Sequence, residues 1–289
     1  MSPRTIIITA NSPKTYKPSK AELTAIRIGE PALAMMKAHM RMAEVLAQTS
    51  HRPWPRPQSP WLMTQCWRDL LFAHWPVEPQ TLRPLVPECL ELDLFDGSAY
   101  VAVVPFHMTG IRARLLPPLR GASAFPELNL RTYVRPKRGP IDRPGVFFWS
   151  LEATNALAVA TARRFFHLPY MNATMSCQER DGWFHYKSER TRQGAPAAVF
   201  RGRYRPLHPT KPNALTDFLT ERYCLYSVDA HGEAHAAEVH HARWPLFDAE
   251  AVIEESTIAQ AAGIQLHGPP PLLHFAKSLE VAIWGLRKV

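Results

Sequence analysis

Residues 125–134 read F-P-E-L-N-L-R-T-Y-V, a run in which two kinds of side chain alternate. A period of two predicts a β-strand, because successive side chains of a strand point to opposite faces. One face suits a hydrophobic core and carries Leu128, Leu130, Thr132 and Val134. The other suits either a solvated surface or the polar wall of a cavity, and carries Glu127, Asn129, Arg131 and Tyr133. Phe125 and Tyr133 flank the polar residues, which favours the cavity.

Further strands and a few helices are predicted on both sides of this segment. Period-two patterns and hairpin dipeptides predict strands at Ala99–Met108, Val146–Glu152, Trp183–Arg190, Phe218–Val228, Ala236–Trp244 and Leu279–Leu286. Helices are predicted in a short piece from Pro79, at Asn155–His167 and at Ala249–Ala262. Many short strands without regular strand–helix alternation favour a mainly β fold, a largely antiparallel barrel or sandwich with a few peripheral helices.

The helix predicted at Asn155–His167 leads into a second group of candidate residues. One of its faces carries Val159, Ala162, Arg163 and Phe166. Arg163 interrupts an otherwise apolar stripe, so it must be paired or functional if that face is buried. Pro169 ends the helix, and Tyr170 is the first side chain beyond the turn. A packed aromatic ring with a satisfied hydroxyl is the more common role of such a tyrosine.

Positive charge lies mainly at the N-terminus. The net charge is +9, yet residues 1–60 hold nine Lys and Arg against three Asp and Glu, and the remainder is nearly balanced. A balanced body gives no general signal for polyanions, so we do not expect nucleic acid as a partner. We expect residues 1–50 to form a basic extension, a tail plus a helix at 31–47, and residues 51–289 to form one barrel domain.

Two alternatives remain for the extension. The helix at 31–47 is either an accessory element or a surface that contacts a membrane or a partner. The proline-rich stretch at 51–60 predicts an extended, semi-rigid linker into the barrel domain.

The cysteine and histidine patterns exclude several classes of protein. The four cysteines form no C-x-x-C pair and are too few for a disulfide framework, which predicts reduced thiols in a cytoplasmic protein. No stretch approaches about 18 consecutive apolar residues, so an integral membrane protein is not expected. His240 and His241 are adjacent and face opposite sides of a strand, so they cannot share a metal ion. We expect no metal and no other cofactor.

Several longer motifs resemble a known family. They are F-P-E-L-N-L-R-T-Y-V, G-V-F-F-W-S-L-E-A from residue 145, A-x-A-R-R-F-F-H-L-P-Y-M from residue 160, R-P-W-P-x-P-x-S-P-W from residue 52, L-T-E-R-Y-C-L-Y from residue 219 and H-H-A-R-W-P-L from residue 240. Over about residues 52–286 the chain resembles the YqjF-like family of uncharacterised bacterial proteins, which is similar to the acetoacetate decarboxylase-like superfamily. The resemblance implies a cone-shaped, mostly antiparallel β-barrel with an enclosed pocket.

The resemblance also implies a partial active site. In the decarboxylases a lysine that follows a proline forms a Schiff base with a β-keto acid, and a strand glutamate and arginines complete the site. Glu127, Arg163 and Pro169 match the glutamate, the arginine of the helix and the proline. Tyr170 and Met171 stand where the decarboxylases have two lysines, and a phenol cannot form an imine.

We therefore expect a pocket protein that binds or transforms a carbonyl or carboxylate compound without Schiff-base chemistry. The candidate catalytic residues are Glu127, Arg163 and Tyr170. The candidate ligand-binding residues are Asn129, Arg131, Tyr133 and Arg222. The pattern leaves open whether Arg222 or Glu221 faces the cavity, and whether the chain forms a homo-oligomer. The alternative function is a non-catalytic interaction or scaffold protein whose polar cavity is a structural network.

Overall fold

The computed structural model describes residues 40–114, 116, 123–137 and 143–289. The chain divides into two units, Met1–Ala47 and Gln48–Val289. In the first unit residues 40–47 are helical (α1), whereas the remainder of the helix predicted at 31–47 and the predicted tail lie outside the described residues.

The second unit contains three further helices and thirteen strands in its described part. The helices are α2 (Pro79–Leu82), α3 (Ala156–Phe166) and α4 (Ala214–Thr220). The strands are β1 (Met63–Val77), β2 (Leu90–Leu92), β3 (Ala99–Ala113), β4 (Phe125–Pro136), β5 (Gly145–Ala153), β6 (Tyr170–Arg180), β7 (Trp183–Arg190), β8 (Val199–Pro209), β9 (Cys224–Val228), β10 (Ala234–His241), β11 (Leu246–Ser256), β12 (Leu272–Ile283) and β13 (Arg287–Lys288).

The described strands form one sheet that closes on itself. Pairing of β4 with β5 closes a ring of nine strands, which runs β5-β6-β7-β8-β11-β12-β1-β3-β4. Pairing of β10 with β12 closes a second, smaller ring through β9, which shares β12, β1, β3, β4 and β5 with the first. Neighbouring strands are antiparallel except where β5 pairs with β6 and with β9. The prediction of a mainly β, largely antiparallel barrel with peripheral helices is confirmed.

The shared strands separate two hydrophobic cores. Val104 and Phe106 of β3 belong to the core of the smaller ring, whereas Val101 and Val103 belong to the core on the other side. In β4, Leu128 joins that second core while the alternate residues face the smaller ring. Because β4 is covered on both faces, its polar residues are buried rather than solvated.

The predicted helix at Ala249–Ala262 is wrong. Residues Leu246–Ser256 form β11, which pairs with β8 and β12, and only Gln260–Ala262 form a single 3₁₀ turn. Alternate apolar residues of β11 pack against the second core, namely Phe247, Ala249, Ala251 and Ile253. This period of two decides the structure, and pairing with two neighbouring strands outweighs the helix propensity of Ala and Glu.

The predicted strand at Phe218–Val228 is divided into a helix and a strand. Asn213 caps α4 by accepting a hydrogen bond from the Thr216 backbone N–H at 2.9 Å, and the Thr216 hydroxyl accepts one from the Asn213 N–H at 2.8 Å. The helix ends at Thr220, and β9 begins only at Cys224. Arg222 therefore lies in the corner between the two elements.

The proline-rich stretch at 51–60 packs against the barrel. Arg52 is buried and donates to Glu238 of β10 at 2.9 Å. The Trp54 indole N–H donates to the same carboxylate at 3.0 Å, and Trp284 donates to the Ser59 carbonyl at 2.7 Å. The stretch is thus held on the second unit by a buried ion pair rather than serving as a free linker.

Candidate functional site

A cavity of about 490 Å³ lies inside the smaller ring. Its walls come from β1, β3, β4, β5, β9, β10 and β12, and α3 covers part of it. Most lining side chains are apolar. A few polar groups converge in it, as is usual for small-molecule sites of this size, and they include Glu127, Asn129, Arg131, Tyr170 and Arg222.

Glu127 and Tyr170 form a buried hydrogen-bonded pair in this cavity. The Tyr170 hydroxyl donates to Glu127 Oε2 at 2.9 Å. Tyr170 reaches this place because the chain leaves α3 through His167, which has a left-handed backbone (φ 51°), and starts β6 alongside β5 after Pro169. The Tyr186 hydroxyl donates to the Glu127 carbonyl at 2.8 Å and holds the backbone of β4 at this position.

Burial changes the protonation of both groups in the pair. Loss of solvent raises the pKa of Glu127 to about 8, against the Tyr170 hydrogen bond, which lowers it, and with a smaller contribution from the negative charge of Glu152, which raises it. Burial and the neighbouring Glu127 raise the Tyr170 pKa well above its ordinary value. At neutral pH Glu127 is therefore mostly a carboxylic acid, whereas Tyr170 keeps its proton and donates it to Oε2.

Arg131 is a buried cation without a carboxylate partner among the described residues. It is 8% exposed, its Nη2 makes a long contact of 3.4 Å to the Leu219 carbonyl, and its guanidinium lies over the Phe72 and Tyr133 rings. In the part of the chain that the structure describes, Arg131 forms no ion pair and its Nε has no hydrogen-bond acceptor. Two residues along the same face, Asn129 Oδ1 is buried and also lacks a described partner. Buried polar groups are normally satisfied, and both of these incompletely paired side chains line the cavity, so they are candidates to meet a polar ligand there.

Arg222 reaches the cavity from the corner between α4 and β9. Its Nη1 pairs with Asp93, whereas its Nη2 is buried and has no partner among the described residues. The guanidinium lies over the rings of Phe218 and Tyr133, 4.1 Å and 4.8 Å from their centroids. Of the two candidates in this segment, Arg222 lines the cavity, whereas Glu221 is absent from the described lining.

Tyr133 supports the cavity from behind. It is fully buried, and its hydroxyl donates to the Leu219 carbonyl at 2.7 Å and contacts His74 Nε2 at 2.7 Å. It is absent from the described lining, so it positions neighbouring groups instead of contacting a ligand. Its ring lies 5.8 Å from the Arg131 guanidinium carbon and helps to orient that cation.

Arg163 does not enter the cavity. It lies on the exposed face of α3 and borders an open outer cleft with His167 and Arg192. The cavity side of this helix is formed by its small and aromatic residues, including Ala158, Ala162 and Phe166. The pattern of period 3.6 was correct for the helix, but Arg163 lies at the edge of the packed stripe.

Two lining residues that the sequence did not single out are Arg112 and His241. The Arg112 Nε donates to Thr64 Oγ1 at 2.9 Å between adjacent strands. Burial lowers the pKa of His241 to about 3, so its ring is neutral, and its Nδ1 lies 2.7 Å from the Ala242 carbonyl. Alternation in β3 and β10 would have placed both side chains inward, but nothing local marked them as ligand-facing.

The chain is similar in sequence to known proteins. Residues 64–280 match the model of DUF2071, a family described as an uncharacterized conserved protein. The chain belongs to the DUF2071 family. It is 45% identical over 235 residues to the uncharacterized protein YqjF of Bacillus subtilis (strain 168), covering 80% of this chain and 94% of that relative. The YqjF-like resemblance seen in the motifs is thereby confirmed.

Solved structures share the fold of this DUF2071 protein at low identity. Acetoacetate decarboxylase from Legionella pneumophila superposes with a TM-score of 0.56 at 12% identity, covering 85% of this chain and 94% of that one. An acetoacetate decarboxylase-like enzyme from Sphingomonas wittichii RW1 gives a TM-score of 0.54 at 15% identity, with coverage of 80% and 94%. The enduracididine biosynthesis enzyme MppR gives 0.54 at 13% identity, with coverage of 80% and 90%. The acetoacetate decarboxylase-like fold is thus confirmed.

The lysines that the structure of this DUF2071 protein describes lie away from the cavity. Every lysine that the structure describes is exposed, namely Lys137, Lys187, Lys211, Lys277 and Lys288. No lysine is among the described residues that line the cavity, where Tyr170 occupies the position that the resemblance gives to a lysine. The described cavity side chains therefore offer no amine for an imine.

The described residues contain no group of three or more His, Cys, Asp and Glu side chains arranged to hold a metal ion. None of their helices combines the length and the apolar character needed to cross a membrane.

Proposed function

We propose that this DUF2071 protein binds a carbonyl compound bearing a carboxylate and exchanges a proton with it through Glu127, without an imine. The observation that carries the proposal is the buried Arg131, which has no carboxylate partner within the described residues, on the same strand face as the protonated Glu127. A carboxylate is the natural partner of such a guanidinium, because it accepts two parallel hydrogen bonds from it. In support, MppR, which shares the fold, has been crystallised in complex with pyruvate, an oxo acid.

The polar residues have separate tasks in this proposal. Arg131, with Arg222 beside it in the lining, receives the carboxylate of the substrate. The Asn129 carboxamide lies between Arg131 and Glu127 on the strand, and its Nδ2 group donates a hydrogen bond to the carbonyl oxygen. Glu127 faces the carbon next to the carbonyl, and Tyr170 holds the carboxyl group in place through Oε2.

Proton exchange follows from the protonation of Glu127. With a pKa of about 8, its acid and its carboxylate are both populated near neutral pH, as an acid–base catalyst requires. The carboxylate takes the proton from the carbon beside the carbonyl and leaves an enolate, and the acid then returns a proton to that carbon. The Tyr170 O–H stabilises the carboxylate form during each cycle.

The alternative of a closed structural network predicts that every buried polar group has a partner. Asn129 Oδ1, Arg131 Nε and Arg222 Nη2 have none within the described residues, and all three side chains line the cavity. This favours a ligand over a purely structural role.

Deuterium incorporation into 2-oxobutanoate in D₂O, followed by ¹H NMR, tests the proposal. We expect wild-type protein to speed exchange at the carbon beside the carbonyl, and Glu127→Gln to slow it by about 100-fold or more while ligand binding persists. Glu250→Gln, an exposed glutamate on β11, is the matched control and should exchange as wild type does. Equal exchange by wild type and Glu127→Gln, or a protein adduct trapped by borohydride with the oxo acid, would overturn it.

A further inference from the structure

The cavity has an unusual distribution of polarity. The polar residues assigned to ligand binding and proton exchange are at the buried end, where Glu127 is 2% exposed and Arg131 is 8% exposed. At the mouth, Leu157 of α3 is 63% exposed and Leu116 is 59% exposed. Proteins normally expose polar residues and bury apolar ones. Exposed apolar residues grouped around an opening therefore mark a contact with a ligand or a partner.

An apolar wall connects the two ends. On β3, Phe106 is paired with Glu127, and Met108 is paired with Phe125 one step nearer the mouth. Beyond them Ile111 and Ala113 continue the lining, together with Arg112, whose Nε donates to Thr64 Oγ1 at 2.9 Å. This largely apolar wall runs about 20 Å past the level of Glu127 at the usual rise of a strand.

Opposite this wall, α3 presents small and apolar residues. Ala158 and Ala162 leave room beside the helix, and Phe166 closes the inner end of its cavity face. A compound as small as pyruvate would fill only the polar end and would leave the apolar channel without contacts.

We infer that the ligand is an amphipathic acid, with its carboxylate and carbonyl at the buried polar end and an aliphatic or aromatic tail that extends to the apolar mouth. The inference rests on the proposed function for its head group and adds the tail. The tail itself leaves water, packs on the buried Phe106 and Met108, and covers the exposed Leu157, which supplies the affinity. Arg131 fixes the direction in which the molecule enters.

A chain-length series tests the inference by calorimetric titration. Straight-chain 2-oxo acids from pyruvate to 2-oxodecanoate should bind more tightly by about fourfold per added methylene until the channel is filled. Leu157→Ser should weaken 2-oxodecanoate by about threefold or more and leave pyruvate unchanged. Leu207→Ser is the matched control, because Leu207 is an exposed leucine of β8 outside the lining, and it should change neither. Ala162→Phe, which fills the channel, should remove the dependence on chain length.

The outcomes distinguish the tail from the head group. Equal affinity for pyruvate and 2-oxodecanoate would overturn the tail and leave the proposed function standing. Equal affinity for 2-oxodecanoate and its methyl ester would instead overturn the proposed function. If wild type, but not Leu157→Ser, sediments with phosphatidylcholine vesicles while chain length has no effect, the apolar mouth serves a membrane surface and the inference fails.

Discussion

At the scale of single residues, Glu127 and Arg131 are both buried, and in the described part of the chain neither has a partner of opposite charge. Glu127 avoids carrying an unpaired charge by keeping its proton, because burial disfavours the charged carboxylate. Arg131 carries a guanidinium, whose natural partner is an anion such as a carboxylate. The two responses give the cavity one acid and one fixed positive charge.

The protonation of Glu127 predicts a dependence of stability on pH. Folded Glu127 holds its proton up to a pH of about 8, whereas the unfolded side chain loses it near its ordinary pKa of 4.5. Between these values the folded state binds more protons, so the free energy of unfolding falls as the pH rises. The Glu127→Gln variant does not lose stability in this way. The difference between its free energy of unfolding and that of wild type should therefore increase by at most about 4 kcal/mol from pH 5 to pH 8.

Urea denaturation at the two pH values measures that difference. Glu250→Gln, at an exposed site, should leave the dependence of wild type unchanged. A constant difference between Glu127→Gln and wild type would show that Glu127 is ionised in the folded protein.

Arg131 and Arg222 should respond differently to the same substitution. Arg131→Met removes an uncompensated buried cation, so the free energy of unfolding should change by less than about 1 kcal/mol or increase. Arg222→Met leaves the buried Asp93 with only Arg135 among its described partners, and should cost about 3 kcal/mol. Denaturant titration compares the pair, and an equal loss in both variants would favour the structural network over a ligand site.

At the scale of elements, the smaller ring closes where β5 meets β9. Gly145 begins β5, and a Cβ placed there would lie 2.6 Å from the Cys224 carbonyl oxygen. Only glycine therefore allows the two backbones to approach, and this approach shapes the end of the ring near Arg222.

Gly145→Ala should consequently destabilise the protein by about 2 kcal/mol or more, because backbone atoms of β9 must move. At Gly285 a Cβ would meet no described atom within 4 Å, so Gly285→Ala serves as the matched control and should lie within about 0.5 kcal/mol of wild type. Thermal denaturation compares the two variants. Equal melting temperatures would contradict the tight β5–β9 contact.

The elements also show which parts of the fold could be predicted from the sequence. The strand at Phe125–Val134 was predictable because its two faces differ in chemistry at every step. The strand Leu246–Ser256 was missed because Ala and Glu favour a helix, and only its partner strands reveal the period of two. The sequence could not predict that Arg131 lacks a carboxylate partner among the described residues. That depends on which side chains distant elements place beside it.

At the scale of the whole molecule, the two strand rings share five strands, and the proline-rich stretch at 51–60 packs against the smaller ring through β10. Glu238 is the centre of this attachment. It accepts hydrogen bonds from Arg52 and Trp54 and forms an ion pair with Arg143. Removing one side of such a buried pair leaves an uncompensated charge, which is strongly destabilising.

Two truncations test this attachment. A fragment of residues 48–289 keeps the proline-rich stretch at 51–60. We expect it to unfold at the same denaturant concentration as the second unit does in the full chain, and to bind the same ligand. Residues 61–289 lack Arg52 and Trp54 and should lose about 3 kcal/mol. Urea denaturation of the purified fragments distinguishes the cases, and equal stability would show that the stretch is a linker after all.

The most direct test of the central claim is a crystal structure of the protein with 2-oxooctanoate. We predict density for the acid inside the smaller ring, with its carboxylate within hydrogen-bond distance of Arg131 and its carbonyl oxygen near Asn129. The carbon beside the carbonyl should face Glu127, and the tail should point toward Leu157. Density outside the cavity, or a reversed molecule with its carboxylate at the mouth, would contradict the account.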